Sequence, residues 1–325
     1  MSSQNYRLDE LRAHTTYIKL MLSGAFSFTR LLITYLNDVK RLRFTKEGEA
    51  HYIRPPRLYD LPEYLPEMQV RISNKKYLRP TRFCNPNAPE VIAVANTLGA
   101  YRLSEEDYVQ SVFEFVKEKV LLEFLPIDGV EATLRRGTGT CFHLISVFIA
   151  LCRTAGIPAR YKMYSTYLIQ SMREVLIDSD PMVKKWYDTL GYFMIEGEGE
   201  VFLKGQWVVA HVGNTSEREA AAGIPISRLG EDAIGVWLFA RLGTIMLFES
   251  IPLGLNFGTQ LLQRIAPGSM ERINVSVLKH SERGRQVLEA AGGVEAYDNA
   301  VRSKLGPKSP KVDLSTRPEI VFGKK

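Results

Sequence analysis

Cysteine is scarce in this chain. There are three in 325 residues, Cys84, Cys141 and Cys152, an odd number with no close pair. That argues against a disulfide framework, and without a C-x-x-C no zinc-ribbon or redox motif can be drawn. Histidine is equally sparse, at five positions, and none pairs with cysteine or carboxylate at a known metal-ligand spacing, so no metal and no cofactor is expected. The phosphate-cradling G-x-x-x-x-G-K and the dinucleotide G-x-G-x-x-G are both missing. So is a clean apolar run of the roughly 20 residues a membrane span needs, because Leu20–Leu36 carries Arg30 and several Ser and Thr. The first residues lack the basic-then-apolar order of a signal peptide, so a cytoplasmic location is expected. The net charge of +6 is spread along the chain and not gathered into a basic, aromatic-interleaved tract, so no nucleic-acid partner is expected.

What is present is ordinary for a globular chain, 45% hydrophobic and 24% charged, with ample length for a large core. Residues 7–44 read as helical, with Leu11, Ile18, Leu22, Phe26 and Ile33 on one stripe. From His51 to Pro89 prolines cluster, which predicts an extended segment, either a covering arm or a linker. Pro89–Leu98 reads as a short helix opened by proline, and Ser104 as the N-cap of a second. Helices are expected within 163–190, over 227–265 and over 285–305, the last broken at Gly292-Gly293. Trp186, Tyr187, Tyr192 and Phe193 read as core or as the wall of a substrate groove. Apolar helices leave room for a homo-oligomer or partner contact.

The stretch 137–161, GTGTCFHLISVFIALCRTAGIPARY, organises the rest. A loop of small residues delivers Cys141 to the start of an apolar helix, where the dipole and unpaired N–H groups favour a thiolate. Farther on, YFMIEGEGEVFL, Lys204-Gly205 and QWVVAHV read as a β-hairpin with a two-residue turn. Counting from that turn sets Glu198 opposite His211, with Glu196 and Glu200 as diagonal neighbours on the same strand face, within about 5–8 Å. His143, two residues after Cys141, points to another side of the helix and reads as a pocket-lining, orienting or capping residue.

Residues 77–215 resemble the transglutaminase-like superfamily, whose core is papain-like. The resemblance is carried by the lead-in YLRPTRFCNPNAPEVIAVANTL and SEEDYVQSVFEFVKEKV, by the cysteine helix with its "GIPAR" strand, and by EVFLKGQWVVAH. It implies an α+β fold: a nucleophile helix on an antiparallel sheet, with residues 1–76 as an N-terminal arm, 216–305 as a C-terminal helical region and 306–325 as a basic tail. It also implies a Cys–His–acid triad. Registered on Glu200, Gly205 and Trp207, the family's histidine falls on Glu196 and its acidic residue on His211, so base and orienter stand exchanged. The expected activity is thiol-dependent acyl transfer, hydrolysis or transamidation of an amide, peptide or small acyl substrate, through Cys141, His211 and Glu196, with Glu198 orienting. Two arrangements are open: His211 reaches the sulfur, or Glu196 does. A non-catalytic binding scaffold and a lyase or isomerase using Glu and His are the alternatives.

Overall fold

The computed structural model describes residues 3–45, 49–232, 234 and 238–305, and the basic tail expected at 306–325 lies outside the described residues. In chain order come α1 (Ser3–Thr34), α2 (Leu36–Leu42), a long extended segment, α3 (Pro89–Thr97), α4 (Glu105–Lys119), β1 (Leu121–Leu122), α5 (Val130–Arg136), β2 (Thr138–Gly139), α6 (Cys141–Thr154) and β3 (Ala159–Tyr167). Then follow α7 (Gln170–Leu176), α8 (Pro181–Leu190), β4 (Phe193–Leu203), β5 (Gln206–Ala210), α9 (Ser216–Ala222), β6 (Phe239–Ala240), β7 (Met246–Phe248), α10 (Leu255–Ile265), α11 (Pro267–Ala291) and α12 (Val294–Leu305).

Every residue of α6 from Phe142 to Thr154 is buried. A helix apolar on all sides belongs in the middle of a fold, and α3, α4 and α5 pack on one side of it while the sheet packs on the other. Helix α4 starts where Ser104 Oγ accepts from Asp107 N–H at 3.2 Å, with three carboxylates in its first turn. This is the α+β arrangement expected, a cysteine-bearing helix laid on an antiparallel sheet.

The sheet runs β5-β4-β3, with β6 and β7 pairing with opposite ends of β3. Lys204 and Gly205 both have positive φ, 46° and 84°, the signature of a type I′ hairpin, and Leu203 pairs with Gln206 as counted. The repeat Glu196-Gly197-Glu198-Gly199-Glu200 puts glycines on one face of β4 and carboxylates on the other. The glycine face lets α6 approach closely: a Cβ on Gly199 would sit 2.8 Å from the Phe148 ring, and one on Gly197 3.2 Å from Phe142.

Arg153 ties the pieces together. Buried at the end of α6, it donates to the carbonyls of Ala159 (3.1 and 2.8 Å), Arg79 (3.0 Å) and Glu249 (2.7 Å). The proline-rich segment is a covering arm: Arg54 grips the buried Glu123 through two bonds of 2.8 Å, Tyr59 donates to Leu134 O at 2.7 Å, and Arg71 N–H donates to Thr154 O at 3.1 Å.

Two expectations are corrected. The run read as helical over 227–265 holds β6 and β7 before α10; its short apolar segments are buried against β3, and a buried apolar run this short has no period that separates strand from helix. The last helix begins at Pro267 and not near 285, although it breaks at Gly292 as expected. In α1 the stripe Leu11, Ile18, Leu22, Phe26 and Ile33 faces outward, and Ala13, Tyr17, Leu20 and Leu31 are the buried side. Among the described residues, no helix is long and apolar enough to cross a membrane.

Candidate active site

Cys141 is the first residue of α6. Gly137 closes α5 in the left-handed region at φ 78°, and β2 then leads straight into the helix, so the loop has no freedom to move the thiol. His143 fixes the helix start. Its Nδ1 accepts from Thr140 N–H at 3.0 Å, the backward half of a capping box, and its Nε2 lies 3.0 Å from Asp128 Oδ1. Burial holds this imidazole below its ordinary pKa despite Asp128. His143 therefore caps and does not line the cleft.

Of the charged side chains that act on the Cys141 thiol, the Glu196 carboxyl acts most strongly. The register of β3 on β4 slips immediately before Glu196: Tyr164 pairs with Glu196 but Thr166 pairs with Phe193, so Ser165 faces two residues. A β-bulge bends the strand beside it, and Glu196 is the glutamate of the row that stands next to that bend. Gly213 closes over the pair, since a Cβ there would lie 3.3 Å from Cys141 Cβ and 4.0 Å from Glu196 Oε1. Glu196 Oε1 also accepts from Gly197 N–H at 3.1 Å.

Burial, and then the Glu196 carboxyl, push the thiol well above its usual range. The expectation of a thiolate at the helix start is corrected here: the Phe142 N–H and the Arg218 guanidinium act the other way and are outweighed. Burial likewise raises Glu196, against the Gly197 N–H and the charges of His211 and Arg218. The resting pair is a neutral thiol beside a carboxyl shifted toward it.

His211 directly follows β5 and is buried. Its Nδ1 lies 3.3 Å from Glu198 Oε1, an ionic contact without well-aligned hydrogen-bond geometry, and its Nε2 lies 3.3 Å from Asn214 Nδ2. Glu198 is fully buried, and its other oxygen is 3.2 Å from Lys162 Nζ, which in turn donates to Asp232 at 2.7 Å. Burial opposes the charge on Lys162, but Glu198 and Asp232 outweigh it and hold its pKa above the ordinary value. Glu200 is occupied elsewhere, with Arg160 bonded to it at 2.6 Å and stacked over the Trp207 ring at 3.8 Å.

Two groups escaped the sequence reading. Arg218, on α9, is 1% exposed and interacts electrostatically with both Cys141 and Glu196; desolvation brings its pKa down to about 10. Its Nη1 donates to Gly213 O at 3.4 Å, and its Nε has no hydrogen-bond partner among the described residues. Tyr164, the strand partner of Glu196, buries a hydroxyl without a partner there and feels the charges of Glu198 and Glu196. No local signal marks either one: Arg218 follows an ordinary Thr215 cap, and Tyr164 reads as a core strand residue. Cys84 and Cys152 are buried with raised pKa values and take no part. Among the described residues, no three His, Cys, Asp or Glu side chains converge as metal ligands do.

On the other side of Cys141 lies an apolar cavity of about 160 Å³. Cys141 and Phe142 form part of its wall, and Trp186, Tyr187, Tyr192 and Phe193 all line it. Cys141 thus borders the apolar chamber and also feels the charges of Glu196 and Arg218.

A sequence model of the transglutaminase-like superfamily matches residues 92–210, which span α3 to β5 and contain Cys141 and Glu196. Residues 92–210 thus form a transglutaminase-like domain within the chain. At family level that supports a cysteine-dependent enzyme. The transglutaminase-like segment ends one residue before His211, and Arg218, α10 and α11 lie beyond it. A solved structure from Cytophaga hutchinsonii, described as a candidate cysteine protease, is similar at 17% identity and a TM-score of 0.31, over 46% of this chain and 45% of that one. The chain therefore spans less than half the length of that protein. No curated protein matches the chain.

Proposed function

We propose that this transglutaminase-like protein is a thiol-dependent acyl-transfer enzyme in which Glu196, and not His211, exchanges the proton with the Cys141 sulfur. The observation that carries this reading is that Cys141, at the start of α6, and the Glu196 carboxyl meet at Gly213, with Glu196 the strongest charge acting on the thiol. A free carboxylate is a weak base for a thiol, but the sulfur becomes strongly acidic as it bonds to a carbonyl carbon. Glu196, raised by burial, then accepts the proton as the bond forms. The Cys141 backbone N–H, in the first turn where helix donors lack internal partners, faces the developing oxyanion. The leaving group departs with the proton from Glu196 and a thioester remains on Cys141. Glu196, now a carboxylate, takes a proton from the water or amine that attacks the thioester, and as the C–S bond breaks it passes that proton to sulfur and restores the thiol.

The remaining residues position and compensate. Arg218 offsets the charge that appears on Glu196 or sulfur, and His211, held by Glu198 and Asn214, adds a second positive partner when protonated. The test is acylation of Cys141 by activated thioesters, followed by intact-protein mass. Cys141→Ala is expected to abolish the adduct, and Glu196→Gln to slow it about 10²–10⁴-fold, with His211→Asn slowing it less. A larger loss from His211→Asn than from Glu196→Gln would reverse the assignment. The suppressed thiolate favours a second reading, a binding scaffold on the same fold; the absence of any Cys141 adduct would select it.

A further inference from the structure

The cavity in front of Cys141 is nearly free of polar surface and closed by helices on several sides. Leu176 and Ile177 at the end of α7, Val183 and Trp186 on α8, and Met270 and Ile273 on α11 contribute its walls. The helices α10 and α11 lie outside the family segment, so this chamber is made jointly by the domain and its C-terminal flank. Its volume of about 160 Å³ is the size at which a dry apolar cavity accepts a guest of about benzene's bulk. A charged or strongly polar side chain entering here would lose its hydration with almost nothing to replace it.

We infer that the cavity is the acyl-group pocket of this site, and that the substrate carries an apolar acyl group of about the bulk of a hexanoyl or phenylacetyl chain. The inference rests on the acyl-transfer reading above and specifies its donor. The acyl carbon meets the sulfur at the cavity wall, the chain fills the chamber, and the leaving group points away from it.

Binding and chemistry are tested separately. In the full chain carrying Cys141→Ser, calorimetry compares hexanamide and phenylacetamide with acetamide and succinamate. Each of the four extra methylenes is worth roughly fourfold when buried, so hexanamide is expected to bind roughly 250-fold more tightly than acetamide. Val183→Trp and Ile273→Phe, each checked for folding by thermal melting, fill the chamber from two sides and are expected to erase that preference. Equal affinity for acetamide and hexanamide, or tighter binding of succinamate, overturns the inference. Separately, the wild-type chain is offered acetyl, hexanoyl and phenylacetyl thioesters of N-acetylcysteamine, and the adduct is read by mass. Hexanoyl and phenylacetyl are expected to acylate Cys141 faster than acetyl. Faster acetyl transfer sinks the pocket assignment while leaving acyl transfer intact. Tight hexanamide binding with no adduct from any donor keeps the apolar pocket and removes the reaction.

Discussion

Glu196 and Glu198 are two residues apart on one strand, the first half-buried and the second fully buried, and they meet opposite company. Glu198 lies in ion-pair distance of Lys162 and His211. Glu196, carried past a bulge, meets a neutral thiol, and burial raises its pKa. The difference teaches that the strand supplies a row of identical groups and the local bend assigns their work. One carboxylate is compensated by charge and holds structure. The other is left poised to gain or lose a proton. The sharpest way to break the comparison is to neutralise each in turn and follow thioester formation on Cys141. Glu196→Gln is expected to lose about 10²–10⁴-fold, and Glu198→Gln about tenfold, through a displaced His211. If the two losses are equal, the distinction between them fails.

Stability should rank them the other way. Removing the Glu198 charge leaves Lys162 buried against Asp232 alone and His211 without its carboxylate, and breaking a buried pair costs about 3–5 kcal/mol. Urea unfolding at neutral pH is expected to show a loss in that range for Glu198→Gln and none for Glu196→Gln. A next, smaller effect tests how Arg218 is held over the site. Helix α9 crosses α11 so closely that a Cβ on Gly284 would lie 1.6 Å from the Glu217 carbonyl oxygen. Gly284→Ala must push α9 away, with a stability loss of about 1–3 kcal/mol. It should also slow acylation, because Arg218 follows Glu217 in the same helix. A loss of stability without any change in rate would remove Arg218 from the site.

Much of this arrangement is legible in the residues. The hairpin register follows from a Lys-Gly turn whose two positive φ values only a type I′ turn requires, and counting from it puts Glu198 opposite His211. The cysteine helix announces itself by composition. What escapes sequence reading has physical reasons. A bulge has no residue signature in Met194-Ile195, so the strand bend next to Glu196 is visible only in three dimensions. The suppressed thiolate reflects burial, a property of everything packed around Cys141, and the helix dipole that sequence suggests is the weaker influence. Arg218 and the cavity wall on α10 and α11 come from segments distant in the chain, brought over the thiol by tertiary packing.

The smallest effect concerns pH, and it isolates Glu196. A carboxyl whose folded pKa lies above its unfolded value of ~4.3 binds its proton more tightly when folded. Its contribution to stability is therefore complete below the unfolded value and is lost as pH rises through the folded one. Glutamine does not titrate. Glu196→Gln should match wild type in acid and become more stable above the folded pKa of Glu196, by on the order of 1 kcal/mol. The same substitution removes the carboxyl that helps to raise the thiol, so iodoacetamide should label Cys141 several-fold faster near pH 8 even as acyl transfer falls. Opposite movement of labelling and turnover is what a proton-exchanging carboxyl predicts. If both fall together, Glu196 merely holds the thiol in place, and its difference from Glu198 is one of position alone.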